Sequence, residues 1–240
     1  MNIGNSGTGI YSTNGTVNLN SGTVINIGTN GAVAVFGISS AINSGVGLNI
    51  GNSNYGIVLQ GGSYADLAGN TNTIGTDSLY LYATSGANIA SNADLTMTGS
   101  DNVGFYLTDG GTIVNTGTID GTAGNNNVGV YNNGGIVDNY GTIAVKDSDL
   151  AFKAGTTDVD VDNSKYSVGI YGENATITNY SGGLISTGYG GYGVVAKGGT
   201  AANYGTISTS GDYSVGMYTE GGIITNESTG VINVSGNNTV

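Results

Sequence analysis

The chain has no cysteine, proline, tryptophan or histidine, and only four cationic side chains, all lysine. Without cysteine there are no disulfides and no thiolate metal sites. Without histidine as well, the Ser-His-Asp and Cys-His arrangements of nucleophilic catalysis cannot be built. Four lysines against sixteen acids leave a formal charge of −12. A basic footprint for nucleic acid or for an anionic lipid surface is therefore missing, and neither is expected as a partner. No run of 18 apolar residues occurs, so no segment reads as a membrane-spanning helix. Residues 1–11 lack the basic and apolar regions of a secretory leader. If the protein is secreted, this stretch is expected to belong to the mature part of a longer polypeptide.

What is abundant is glycine, at 46 residues, together with asparagine and threonine. Such a composition borders on disorder, but Val, Ile, Leu and Phe together number 55 of the 240 residues, enough for a core. Valine and isoleucine account for 42 of them against 10 leucines. β-Branched side chains fit a pleated surface, so strands are expected rather than helices. Asparagine and glycine suit tight turns repeated many times.

The chain also repeats itself. "GFYLTDGGTIVNTGTI" (104–119) is followed by "VGVYNNGGIVDNYGTI" (128–143), "VGIYGENATITNYSGGLI" (168–185) and "VGMYTEGGIITNESTGVI" (215–232). Taking Thr8, Ala32, Tyr55, Ser78, Val103, Val128, Val168, Tyr192 and Val215 as successive starts gives intervals of 23 to 25 residues, with one of 40. Each interval holds three short strands, as in Val-Gly-Val-Tyr, Gly-Ile-Val-Asp and Thr-Ile-Ala-Val. Three strands and three turns in about 24 residues describe one coil of a three-sided parallel β-helix, a solenoid of about nine coils spanning residues 1–240. At about 4.8 Å per coil the rod would be roughly 43 Å long. A hexapeptide-repeat helix would need shorter coils, and no tandem G-G-x-G-x-D-x-U-x of a calcium-binding roll is present. The long interval places an insertion at residues 146–165, expected to leave the rod as a loop.

Alternation along the first strand predicts that Val103, Phe105, Val128, Val130, Val168, Ile170, Val194, Val215 and Met217 face inward, with Gly129 and Tyr131 outward. Asparagine recurs at one phase, the bend between second and third strands: Asn20, Asn43, Asn70, Asn115, Asn139, Asn179, Asn203 and Asn226, with Ser91 filling the remaining coil. Stacked amides can hydrogen-bond along the axis, so a structural ladder is expected.

The phrases at 128–143 and 215–232 resemble the passenger repeats of the large type V autotransporter adhesins of Fusobacterium and its relatives. The resemblance is closest over residues 100–240 and looser over 1–100. It implies a right-handed β-helical rod, held on the bacterial surface by a C-terminal outer-membrane barrel that lies outside this chain. It also implies adhesion to a host or bacterial surface protein or glycan.

Candidate chemistry is sparse, and no cofactor is expected. There is no G-x-S-x-G elbow and no phosphate-binding loop; "GYGGYG" (188–193) reads as turn material. A glycosidase needs two opposed carboxylates, and Asp120, Asp138, Glu173 and Glu220 show no paired spacing. Asp158, Asp160 and Asp162 alternate, so they would share one side of an extended strand, a weak candidate site for Ca²⁺. A solvated acidic loop, with Lys146, Lys153 and Lys165 as counter-charges, is the favoured reading. Tyrosine is the aromatic in excess, 16 against three phenylalanines. Tyr11, Tyr106, Tyr131, Tyr171 and Tyr218 share the last outward position of the first strand, and Tyr140, Tyr180 and Tyr204 each follow a ladder asparagine. Of these, Tyr106, Tyr131, Tyr171 and Tyr218 are the candidate ligand-binding stripe. The expectation is a non-catalytic surface adhesin, with a purely structural stalk or a carbohydrate-active enzyme on the same fold as alternatives. The sequence does not specify an oligomeric state.

Overall fold

The computed structural model describes residues 1–22, 24–66, 70–149 and 165–240. It is a parallel β-solenoid of about nine turns with about 24 residues per turn, and no helix occurs among the described residues. Each turn runs through three faces. One middle turn shows the pattern: β15 (Val128–Asn133) lies on the first face, β16 (Ile136–Asn139) on the second, and β17 (Thr142–Val145) on the third. The first and second faces form one continuous sheet and the third face a separate ten-stranded sheet, every pairing parallel. A single turn buries little; stacking pairs each backbone with the turns above and below and joins the inward side chains into one apolar column. In that column Ile113, Ile119, Val130, Val137, Ile143 and Ile170 are almost fully buried.

The corner between the first and second faces bends through a left-handed residue. Asn14, Ser39, Gly61, Gly134, Asn174 and Gly198 all have φ between 47° and 80° there. Glycine and asparagine tolerate that conformation, which explains their recurrence after the first strand. In β5 (Val33–Ser44) and β7 (Tyr55–Asp66) the strand continues through this corner, so one 12-residue strand spans two faces.

Register corrects two of the expected starts. Thr8 pairs with Val33, Val33 with Tyr55, and Tyr55 with Leu79, so Val33 and Leu79 begin their turns rather than Ala32 and Ser78. It also corrects the facing of the first strand. Phe105, Val130, Ile170 and Val194 enter the core as expected, and Met217 packs against it at the last turn. Val103, Val128, Val168 and Val215 do not; they belong to a second apolar cluster on the outer side of the first face, with Tyr171, Tyr192 and Val195.

The reason is the glycine at the second position. A Cβ at Gly129, Gly169, Gly193 or Gly216 would collide with the Cγ2 of Ile143, Ile185, Ile207 or Ile232 on the third face. Gly129 therefore faces inward, next to inward Val130, and the alternation slips by one residue. The ladder shows the same slip, because paired registers run from Val103–Val128 directly to Phe105–Val130. Two consecutive inward residues are what a bulge-like kink produces.

The flanks of the insertion remain in the stack. Gly188 N–H donates to Lys146 O (2.9 Å), Ser148 N–H to Tyr189 O (2.8 Å), and Asp149 N–H to Lys165 O (3.1 Å). Residues 146–149 thus stay part of the coil. Residues 150–164, which include Asp158, Asp160 and Asp162, lie outside the described residues.

Candidate functional site

The slip in the first strand determines what its outer surface looks like. With the second and third residues turned inward, only the first and fourth side chains point outward, and stacking draws each into a column. The fourth-position column contains Tyr11, Phe36, Val58, Tyr82, Tyr106, Tyr131, Tyr171, Val195 and Tyr218, in register turn by turn.

Ring stacking follows from the coil spacing. Tyr82 and Tyr106 have centroids 5.5 Å apart, Tyr106 and Tyr131 4.4 Å, and Tyr131 and Tyr171 5.1 Å, all near-parallel. At the N-terminal end Tyr11 stacks on Phe36 at 5.5 Å. The column is broken twice, by Val58 and by Val195.

The four stripe residues therefore fall into different settings. Tyr106 and Tyr131 are half-buried members of a stacked run. The Tyr131 hydroxyl donates to Glu173 Oε2 (3.3 Å), and burial, with Tyr106 and Glu173 close by, pushes its pKa well above the ordinary phenol value. Tyr171 is only 4% exposed, enclosed in the outer apolar cluster, so it offers no free face to a ligand. Tyr218 is separated from the run by Val195 and meets Tyr192 edge-on at 6.1 Å. Phe36 and Tyr82, which the expected starts at Ala32 and Ser78 leave out of phase, are half-buried members of the same column. Their signal was the shared phase with Tyr106 once Val33 and Leu79 are taken as the starts. A second run, Tyr140, Tyr180 and Tyr204, stacks at 4.3 and 6.3 Å at the bend after the second face.

Inside the rod, five of the ladder asparagines come together. The Nδ2 of Asn115 donates to Asn139 Oδ1, Asn139 to Asn179, Asn179 to Asn203, and Asn203 to Asn226, each at 2.8 Å. Asn115, Asn139, Asn179 and Asn203 are essentially fully buried. The same amides also donate to backbone carbonyls such as Gly117, Gly141 and Gly183, so both hydrogens are used. Asn20, Asn43 and Asn70 lie elsewhere. The in-register inward positions of the early turns are Leu19, Ser44 and Asp66, followed by Ser91. Asn43 points outward and donates to Asn18 Oδ1 (2.9 Å), Asn20 is exposed, and Asn70 donates to Asp66 Oδ1 (3.0 Å).

A second buried column was not read from the sequence. Side-chain oxygens of Asn54, Ser78, Asn102, Asn127 and Ser167 each accept a backbone N–H from the preceding turn, at 2.8–3.3 Å. The clue was the Asn or Ser immediately before each Val-Gly pair, as at 102, 127, 167 and 214. These groups are spent on holding the corner between the third and first faces.

The four candidate acids do not converge. Asp120 is on the third face, where it accepts from Thr122; Asp138 is on the second; Glu173 and Glu220 are on the first, in register on either side of Lys197. Partial burial alone raises the Asp138 pKa. Among the described residues no three acids are grouped as a metal would require. No family model, curated protein or solved structure matches the chain.

Proposed function

We propose that this chain is a non-catalytic adhesive rod, a passenger segment displayed on a bacterial surface and tethered by an outer-membrane barrel outside the chain. The observation that carries the reading is the stacked aromatic column on one face of the solenoid, Tyr82–Tyr106–Tyr131, which presents ring edges and hydroxyls along about two coil steps. Tyrosine supplies apolar area and a hydrogen-bonding tip with little conformational freedom to lose, a combination suited to a protein face or a glycan. The scattered acids support a binding role over hydrolysis, because general acid and base must flank one bond.

The test is attachment. The purified chain, immobilised, should retain bacterial or host cells, and replacing Tyr82, Tyr106 and Tyr131 together by Ser should abolish retention with β-sheet dichroism unchanged. Equal retention by the variant would move adhesion to another surface. No retention by the parent chain would favour a stalk, a reading supported by the amide ladder, which makes the later turns a continuous internal spine.

A further inference from the structure

The first break in the aromatic column is an open groove of about 570 Å³. Its floor is Val58, and its two end walls are Phe36 and Tyr82, the column members of the turns on either side. Along one flank run the outward first-position residues Val33, Tyr55 and Leu79, and Gln60 stands at the rim. The volume lies within the range of small-ligand sites.

We infer that this groove binds a neutral pyranose ring, stacked between Phe36 and Tyr82 over Val58; the inference rests on the adhesive reading above and names its ligand class.

Three observations lead to that occupant. The first is width. Phe36 and Tyr82 are two coil steps apart, about 9.6 Å, whereas neighbouring rings in the column stack at 4.4–5.5 Å. A flat aromatic midway would lie about 4.8 Å from each wall, the spacing of the column's own rings and wider than the roughly 3.5 Å of closest contact. A saturated six-membered ring is puckered and carries axial hydrogens on both faces, so its extra thickness takes up that space. Its C–H bonds then point at the negative faces of two aromatic rings.

The second is charge. The side chains at this groove are apolar, phenolic or amide, and none is charged. The whole chain is at −12, so an anionic sugar gains no partner here and is repelled at long range. A neutral hexose can use the Gln60 amide and the hydroxyls of Tyr55 and Tyr82 for its own hydroxyls.

The third is preorganisation. Each wall is backed by another ring on its far side, Phe36 by Tyr11 (interplanar angle 9°) and Tyr82 by Tyr106 (27°). The walls are already immobilised before a ligand enters, which lowers the entropic cost of binding.

The experiment uses the full chain and a panel of neutral methyl hexosides and their disaccharides, with sialic acid as the anionic control, read by saturation-transfer NMR and titration calorimetry. At least one neutral sugar should bind through its axial ring protons, and sialic acid should not. Val58→Phe continues the aromatic column through the gap and should abolish sugar binding with the melting temperature kept or raised. If that variant does not fold, Phe36→Ala and Tyr82→Ala, which remove one wall each, should each weaken binding at least tenfold. Tyr204→Ser, exposed at the bend after the second face and away from the groove, should leave it unchanged. Sugar binding that survives in a folded Val58→Phe chain, or no binding by any neutral sugar, overturns the inference. Cell retention by the parent chain in either case would leave the adhesive reading standing; loss of retention in Val58→Phe together with sugar binding would tie the two.

Discussion

One interior position is filled in two ways along the rod. In the first four turns it holds Leu19, Ser44, Asp66 and Ser91; in the last five it holds Asn115, Asn139, Asn179, Asn203 and Asn226. The later turns are uniform, with one amide passed head to tail. The early turns are individual. Tyr80 stands where most other turns have an inward glycine, and its ring is 0% exposed. Its hydroxyl meets that of Tyr64 at 2.8 Å, Tyr64 reaches Asp66 Oδ2 at 3.3 Å, and Phe105 packs edge-on against Tyr80 at 5.7 Å. The same backbone path thus accepts either a repeated hydrogen-bonded spine or a one-off aromatic cluster. The requirement is that buried polar atoms find partners and that the volume is filled.

If the early turns depend on that cluster, Tyr80→Gly, the residue most other turns carry, should be the most damaging substitution. It removes a buried ring and the closer of the Tyr64 hydroxyl's two partners, and should cost about 4 kcal/mol. Chemical denaturation with hydrogen exchange would locate the loss in the early turns. An unchanged midpoint would show that glycine is interchangeable there.

Alkali should test the early core next. Burial raises the pKa of Tyr64 and Tyr80 well above the phenol value of 10.0. A raised folded pKa means the neutral phenol is favoured by the fold. That stabilisation is complete below the unfolded value near 10 and is lost as pH climbs toward the folded pKa values. The buried pair should therefore ionise only as sheet dichroism falls. Full ionisation of all 16 tyrosines with the fold intact would contradict the burial of the pair.

In the later turns Asn139→Ala breaks the spine at both ends, leaving Asn115 Nδ2 without its acceptor across the coil and Asn179 Oδ1 without its donor. The expected cost is about 2–3 kcal/mol, against less than about 0.5 kcal/mol for Asn43→Ala on the surface. Equal melting curves for the two variants would remove the distinction between interior and outer amides.

The smallest effect lies at the junction. The ladder begins at Asn115, whose Oδ1 is buried without a hydrogen-bond partner, and Ser91 sits in register before it. Ser91→Asn should supply the missing donor and gain about 1 kcal/mol. A lower melting temperature would mean that the early turns lack room for the amide, which would sharpen the boundary between the two regions.

The later region was the more legible one, for a physical reason. Its turns reuse the same residues at the same phase, so spacing alone locates Asn115, Asn139, Asn179, Asn203 and Asn226. The early turns carry asparagines at nearby positions, and a one-residue error moves a side chain from core to surface. Asn20 and Asn43 match the ladder phase by spacing, yet each is one residue away from inward Leu19 and Ser44. The valines at 103, 128, 168 and 215 were misplaced because period-2 alternation has no term for an isoleucine on another face that forbids a Cβ.

Composition and periodicity alone determined that this chain is all-β, that it stacks, and that one turn takes about 24 residues, because these depend on neighbours within a turn. Which residues of the first strand turn inward, what fills the early core and where the aromatic column opens were decided only in three dimensions. Those outcomes depend on side chains a whole turn apart in sequence, such as Phe36, Val58 and Tyr82, which meet only when the turns are laid one on another.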